Sequence, residues 1–120
     1  MRKGLAIYET TLGEQHPSTA NAYSRIGSML YGKGDLDGAV EYMRKALAIE
    51  EATLGEQQPP TATSYNNIGV VLHDKGDLDG ALEYHRKALA IREATLGTGH
   101  TDTASSRDWV EGLSSELASR

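Results

Sequence analysis

Two stretches of this 120-residue chain are almost the same sentence. KGDLDGAVEYMRKALAIEEATLG runs from Lys33 to Gly55, and KGDLDGALEYHRKALAIREATLG runs from Lys75 to Gly97. They differ only at Val40/Leu82, Met43/His85 and Glu50/Arg92. Asp35 meets its counterpart Asp77 at an offset of 42 residues, and the same offset carries Leu5–Pro17 onto Leu47–Pro59. A fixed period of this size means that one supersecondary unit is stacked on copies of itself.

The unit is legible in residues 60–97. Pro60 and Thr61 open a segment whose apolar positions are Ala62, Tyr65, Ile68, Val71 and Leu72, a spacing that follows one helix face. Proline is tolerated at a helix start because the first-turn N–H groups have no intrahelical acceptor. Gly76 supplies a left-handed stop, and Asp77 is placed to cap the next helix. That helix carries Leu78, Ala81, Leu82, His85, Ala88 and Leu89 on one stripe, widened by Tyr84 and Ile91, and Gly97 ends it. A short turn between the two makes them antiparallel neighbours. Gly69, Ala81 and Ala88 mark the close approach of the paired helices. Stacking on the next hairpin then buries the remaining apolar stripe.

Composition narrows the function classes. The chain is 38% hydrophobic and 24% charged, an ordinary balance for a folded protein. Its net charge of −5 argues against a nucleic-acid surface, which needs a basic patch. There is no cysteine, so disulfides and thiolate metal sites are excluded and an intracellular, cytoplasmic protein is expected. No apolar run approaches the roughly 18 residues that cross a bilayer, and no membrane partner is expected. MRKGLAIYETTLG at the start lacks a continuous apolar core and carries Glu9, so it is not expected to act as a signal peptide.

Tyr65–Ile91 resembles the tetratricopeptide repeat. That family's pattern falls on Tyr65, Ile68-Gly69, Leu72, Ala81, His85 and Ala88, and again on Tyr23, Ile26-Gly27, Leu30, Ala39, Met43 and Ala46. The family period is about 34; the longer period here, with its LGEQHP-type connection, is similar to the kinesin light chain type. His85 and Met43 stand where the family has an aromatic, which is expected to loosen the packing slightly. The resemblance implies an all-α, right-handed α-solenoid of antiparallel helix–turn–helix repeats. Residues 1–120 then form one array. Residues 1–13 are the second helix of a truncated repeat, 18–58 and 60–98 are full repeats, and 102–118 form a terminal capping helix with a Trp109, Val110, Leu113, Leu117 stripe.

The resemblance also implies a concave groove, lined by the first helices, that binds a peptide or helical segment of another protein. By position its wall comprises Asn21, Ser24, Arg25, Ser28 and Tyr31, then Thr63, Asn66, Asn67, Val70 and His73, with Ser105, Asp108 and Gly112 from the last helix. An asparagine amide both donates to and accepts from an extended peptide, and Arg25 could take a carboxylate. Some family members grip a terminal carboxylate with paired Lys and Asn. Thr63 and Asp74 stand at the matching Lys positions, so that specificity is not expected. Between the full repeats the second helices barely differ while the first helices differ strongly, as a specificity surface would. The alternative is a structural fragment that self-associates through an uncovered apolar edge at Leu5, Ile7 and Leu12.

No chemistry is expected. His16 and His100 are equivalent by the repeat, but the middle copy has Gln58, which suits a loop hydrogen bond better than a metal ligand. Of His73 and His85, one is expected in the groove and the other between helices. GDLDG lacks the ligand spacing of a calcium loop, no glycine stretch has the phosphate-loop spacing, and no nucleophile stands in a triad pattern. The chain is expected to be neither an enzyme nor a carrier of metal or cofactor.

Overall fold

The structure is a computed structural model that describes residues 16–120. The expected truncated repeat at 1–13, and with it the apolar edge at Leu5, Ile7 and Leu12, lies outside the described residues. The chain divides into two compact units, Met1–Glu56 and Gln57–Arg120. The described part of the first unit holds α1 (Pro17–Gly32) and α2 (Leu36–Thr53). The second holds α3 (Pro59–Asp74), α4 (Leu78–Leu96) and α5 (Thr101–Ala118). Among the described residues there is no strand, and the fold is an all-α helical repeat. None of the described helices is long and apolar enough to cross a membrane.

Local chemistry explains where each helix starts and stops. Asp35 and Asp77 cap α2 and α4, their Oδ1 atoms accepting from Gly38 N and Gly80 N at 3.0 Å each. The preceding helices end in matching turns. Gly34 and Gly76 take φ values of +85° and +87°, a left-handed conformation that a side chain would strain. The next amides, of Asp35 and Asp77, then donate back to Leu30 O and Leu72 O at 2.9 Å. Helix α3 starts at Pro59, one residue before the expected start, and both prolines sit in its first turn, where an N–H is dispensable.

Histidine has a role at the other starts that the repeat pattern did not suggest. His16 and His100 are the N-caps of α1 and α5, and their Nδ1 atoms accept from Ser18 N and Asp102 N at 3.0 Å. Gln58, at the same place before α3, makes no side-chain cap bond. The substitution expected to favour a loop hydrogen bond at Gln58 in fact removes one.

In the first unit α1 packs on α2 around Ala20, Tyr23, Ile26, Ala46 and Ile49. In the second, α4 packs against both α3 and α5, and Ile68, Ile91 and Leu113 are fully buried. Each such side chain contributes about 1.5–3 kcal/mol by leaving water. Each unit also repeats one polar clasp. Tyr23 and Tyr42 lie 6.0 Å apart with Lys45 Nζ over both rings, and Tyr65 and Tyr84 lie 5.9 Å apart with Lys87 Nζ over both.

Candidate functional site

The second unit carries a concave pocket of about 300 Å³. It is lined by His73 at the C-terminal end of α3 and by Ser105, Asp108, Trp109, Gly112, Leu113 and Glu116 of α5. On α5, residues 105, 109, 112 and 116 follow the i, i+4, i+7, i+11 pattern of one helix face. The sequence therefore presents them together once α5 is docked.

Docking of α5 depends on residues of α4 that the sequence reading left unremarked. Arg92 is only 6% exposed; its Nη1 donates to Ser106 Oγ at 2.9 Å and to Asp102 O at 3.3 Å. The hydroxyl of Thr103 donates in return to Arg92 O at 3.2 Å. The two bonds donated by the Arg92 guanidinium are charge-assisted and about twice as strong as neutral ones. Leu113, buried, and Trp109, half-buried, complete the contact from the α5 side.

Two histidines hold Trp109. The His85 ring stacks on the indole with centroids 4.5 Å apart and planes 5° from parallel. The His73 ring meets it at 5.3 Å in a T-shaped contact. His85 is fully buried, and neither of its ring nitrogens has a hydrogen-bond partner. Burial is the main cause that lowers its pKa to about 4, with repulsion from His73 and then Arg92 adding to it. The ring is therefore neutral at pH 7 and acts as a flat apolar plate between α3 and α5. The helices approach closely here: a Cβ built on Gly69 would lie 2.6 Å from His85 Nε2.

His73 is half-buried. Its Nε2 is 3.7 Å from Glu116 Oε1 and its Nδ1 is 3.7 Å from Asp74 Oδ1. Thus His73 lines the pocket and His85 packs between helices.

Of the expected groove positions, the pocket brings together His73, Ser105, Asp108 and Gly112. Thr63, Asn66, Asn67 and Val70 lie on α3 outside its lining. Thr63 Oγ1 donates back to Pro59 O at 3.2 Å within its own helix. Asn66 has its Oδ1 buried without a partner, whereas Asn67 is exposed. In the first unit Asn21, Arg25, Ser28 and Tyr31 are exposed on α1 and Ser24 is half-buried. Trp109, Leu113 and Glu116 line the pocket without having been expected there, because on sequence alone the Trp109 stripe reads as a capping face. The signal available was Gly112, a glycine in mid-helix flanked one turn away on each side by a carboxylate. Among the described residues no cluster of His, Asp and Glu could hold a metal ion.

Comparison with solved structures places this geometry among known repeats. Crystallised BtubC (BKLC) from P. vanneervenii superposes with a TM-score of 0.88 at 23% identity, covering 98% of this chain and 47% of that one. The nearly identical TPR-like repeats attributed to a Podosopora anserina kinesin light chain give 0.84 at 23% identity, covering 93% and 53%. A point variant of that protein gives 0.79 at 23% identity, covering 97% and 55%. The chain thus spans about half the length of these structures and shares their helical-repeat solenoid fold. No curated protein matches the sequence. The tetratricopeptide repeat family model matches residues 1–52, 18–94 and 60–108, overlapping copies in the register of the hairpins described above, and the chain belongs to the tetratricopeptide repeat family.

Proposed function

We propose that the chain is a scaffold or adaptor module that holds a peptide or helical segment of another protein in a groove lined by its first helices. Tetratricopeptide repeats mediate protein–protein interaction, and the family's usual role is that of a scaffold rather than an enzyme. The observation that supports a groove is the pocket between α3 and α5, where His73 stands opposite Ser105, Asp108 and Gly112. Its volume suits one long side chain of a ligand rather than a whole cofactor. In the first unit α1 carries the matching positions Asn21, Ser24, Arg25, Ser28 and Tyr31. Binding would rest on shape and on a few hydrogen bonds, with no covalent step.

The test is selection from a random peptide display library on the immobilised chain. Gly112→Leu is the discriminating variant: a Cβ at Gly112 meets nothing within 4 Å, so the new side chain enters the pocket without disturbing the core. Asn66→Ala with Asn67→Ala is its partner on α3. The expected result is a set of peptides that bind the wild type, lose at least tenfold in affinity to Gly112→Leu, and weaken on the double alanine variant. Selected peptides that bind all three proteins equally would place recognition elsewhere, and failure to select any would overturn the peptide reading.

A further inference from the structure

Asp108, Gly112 and Glu116 are spaced by four residues, so they form one ridge of α5, with neighbouring positions about 5–6 Å apart. The middle position has no side chain, and nothing lies within 4 Å of where its Cβ would be. The result is a notch with a carboxylate one turn before it and another one turn after it. Trp109 and His73 wall the notch, and no lysine or arginine lines it. Arg92 and Arg107 are engaged elsewhere. Arg92 is buried against Ser106 and Asp102, and Arg107 Nη2 donates to Thr98 O at 2.9 Å. Both carboxylate residues are exposed, and Glu116 Oε1 lies 3.7 Å from His73 Nε2 across the notch. The whole chain adds a net charge of −5, which attracts cations over a Debye length.

From these features we infer that the pocket is a subsite for a basic side chain, an arginine above all, on the bound peptide. This deepens the groove reading and rests on it. A guanidinium is planar, so it can lie against the indole of Trp109 while its fork of N–H groups donates to Asp108 and Glu116. Its aliphatic stem fits beside Leu113 and the bare backbone at Gly112. A carboxylate or a phosphate would face Asp108 and Glu116 with no lysine or arginine to meet it, and His73 already faces Glu116. A purely apolar side chain would leave both carboxylates partly desolvated without a partner.

The test uses a minimal probe and so does not depend on finding a peptide. N-acetyl-arginine amide is titrated into the intact chain, and the resonances of the Trp109 indole N–H and the Gly112 amide are followed by NMR. Trp109 is the chain's single tryptophan, so its indole signal is unambiguous. N-acetyl-citrulline amide, of the same shape but uncharged, is the control. Both resonances are expected to move with the arginine probe and to move at least tenfold less with citrulline at equal concentration. Asp108→Asn with Glu116→Gln is expected to abolish the difference between the probes, and Gly112→Leu to abolish both responses. Equal responses to the two probes, or none from the arginine probe at its solubility limit, would overturn the inference. The groove reading fails separately: library peptides lost on Gly112→Leu but devoid of basic residues would preserve the groove and reject the cationic subsite.

Discussion

In the first unit Met43 fills the space beneath Gly27; in the second His85 fills the space beneath Gly69. A Cβ on Gly27 would lie 2.8 Å from Met43 Cγ, and one on Gly69 would lie 2.6 Å from His85 Nε2. In both pairs the glycine admits a side chain of the second helix, but the two plugs are of different materials. Methionine is flexible and adapts to its gap. The imidazole is rigid, unpartnered at both nitrogens, and committed to a stack with Trp109. Glu50 and Arg92 differ in the same sense. Glu50 is half-buried near the end of α2, while Arg92 is buried and ties α4 to α5. Two of the three differences between nearly identical second helices thus face the same neighbour in the second unit: both contact α5, whose Trp109 lines the pocket. A repeat can keep its hairpin unchanged and be adapted for a particular neighbour by single residues at its contact face.

The largest effect is expected from giving the second unit the first unit's residue at position 92. Arg92→Glu removes the donor to Ser106 Oγ and directs a carboxylate at the Asp102 carbonyl. A buried charge left unpaired typically costs about 3–5 kcal/mol. The expected outcome is that α5 detaches while α3 and α4 stay helical, seen as a red shift of Trp109 fluorescence with only a partial loss of helical circular dichroism. An unshifted Trp109 spectrum would show that apolar contacts alone hold α5.

Next comes His85→Met, which makes the two units alike at this position. The folded-state pKa of His85, about 4, lies below the unfolded value of roughly 6.5. Between those values the unfolded chain binds the extra proton, so stability rises with pH across the window. The contribution is fully present above about pH 6.5 and is lost as pH falls to about 4. Its size is of order 3 kcal/mol, more than the roughly 2 kcal/mol that a protonated ring would regain by cation–π contact with Trp109. The charged neighbours facing His85 are His73 from α3 and Arg92 from α4 itself. From α5 it meets the uncharged Trp109, and Glu116 reaches it only through His73. Urea titrations at pH 7.5, 5.5 and 4.2 should show the wild type losing more stability than His85→Met. Parallel pH profiles would mean that carboxylates elsewhere control the acid response.

The smallest effect sharpens the contrast between the two plugs. Alanine at either glycine gains about 0.5–1 kcal/mol of helix propensity. Against that stands overpacking, typically about 1–3 kcal/mol. Met43 can swing its side chain aside, whereas His85 is held by Trp109. Gly69→Ala is expected to destabilise by about 2 kcal/mol and Gly27→Ala by less than about 1 kcal/mol, measured by thermal denaturation of the single variants. Equal losses would show that the Ala39 carbonyl, 3.2 Å from the Gly27 Cβ position, limits the first unit as firmly as the imidazole limits the second.

Much of this architecture was legible in the letters. The 42-residue offset gave the repeat; Asp77 gave a cap and Gly76 a turn, which the repeat carries back to Asp35 and Gly34, because caps and turns depend on residues within one helical turn of one another. Three of the pocket residues on α5, Ser105, Asp108 and Gly112, were reachable by carrying the repeat register onto the last helix. Other features were not reachable in that way. The imidazole caps at His16 and His100 break the usual preference for Ser, Thr, Asp and Asn, and only the backbone geometry revealed them. The His85–Trp109 stack joins residues on different helices, and no periodicity encodes which ring will face which.

By itself, then, the sequence determined the helices, their ends and their repetition, since propensity, capping and apolar spacing act locally and twice over in this chain. Tertiary structure alone decided that His85 is a neutral plate rather than a surface base. It also decided that Arg92 is a buried tie, and that a glycine between two carboxylates opens a pocket beside Trp109. Burial and charge depend on what the neighbouring helix brings, and that is a property of the packed fold.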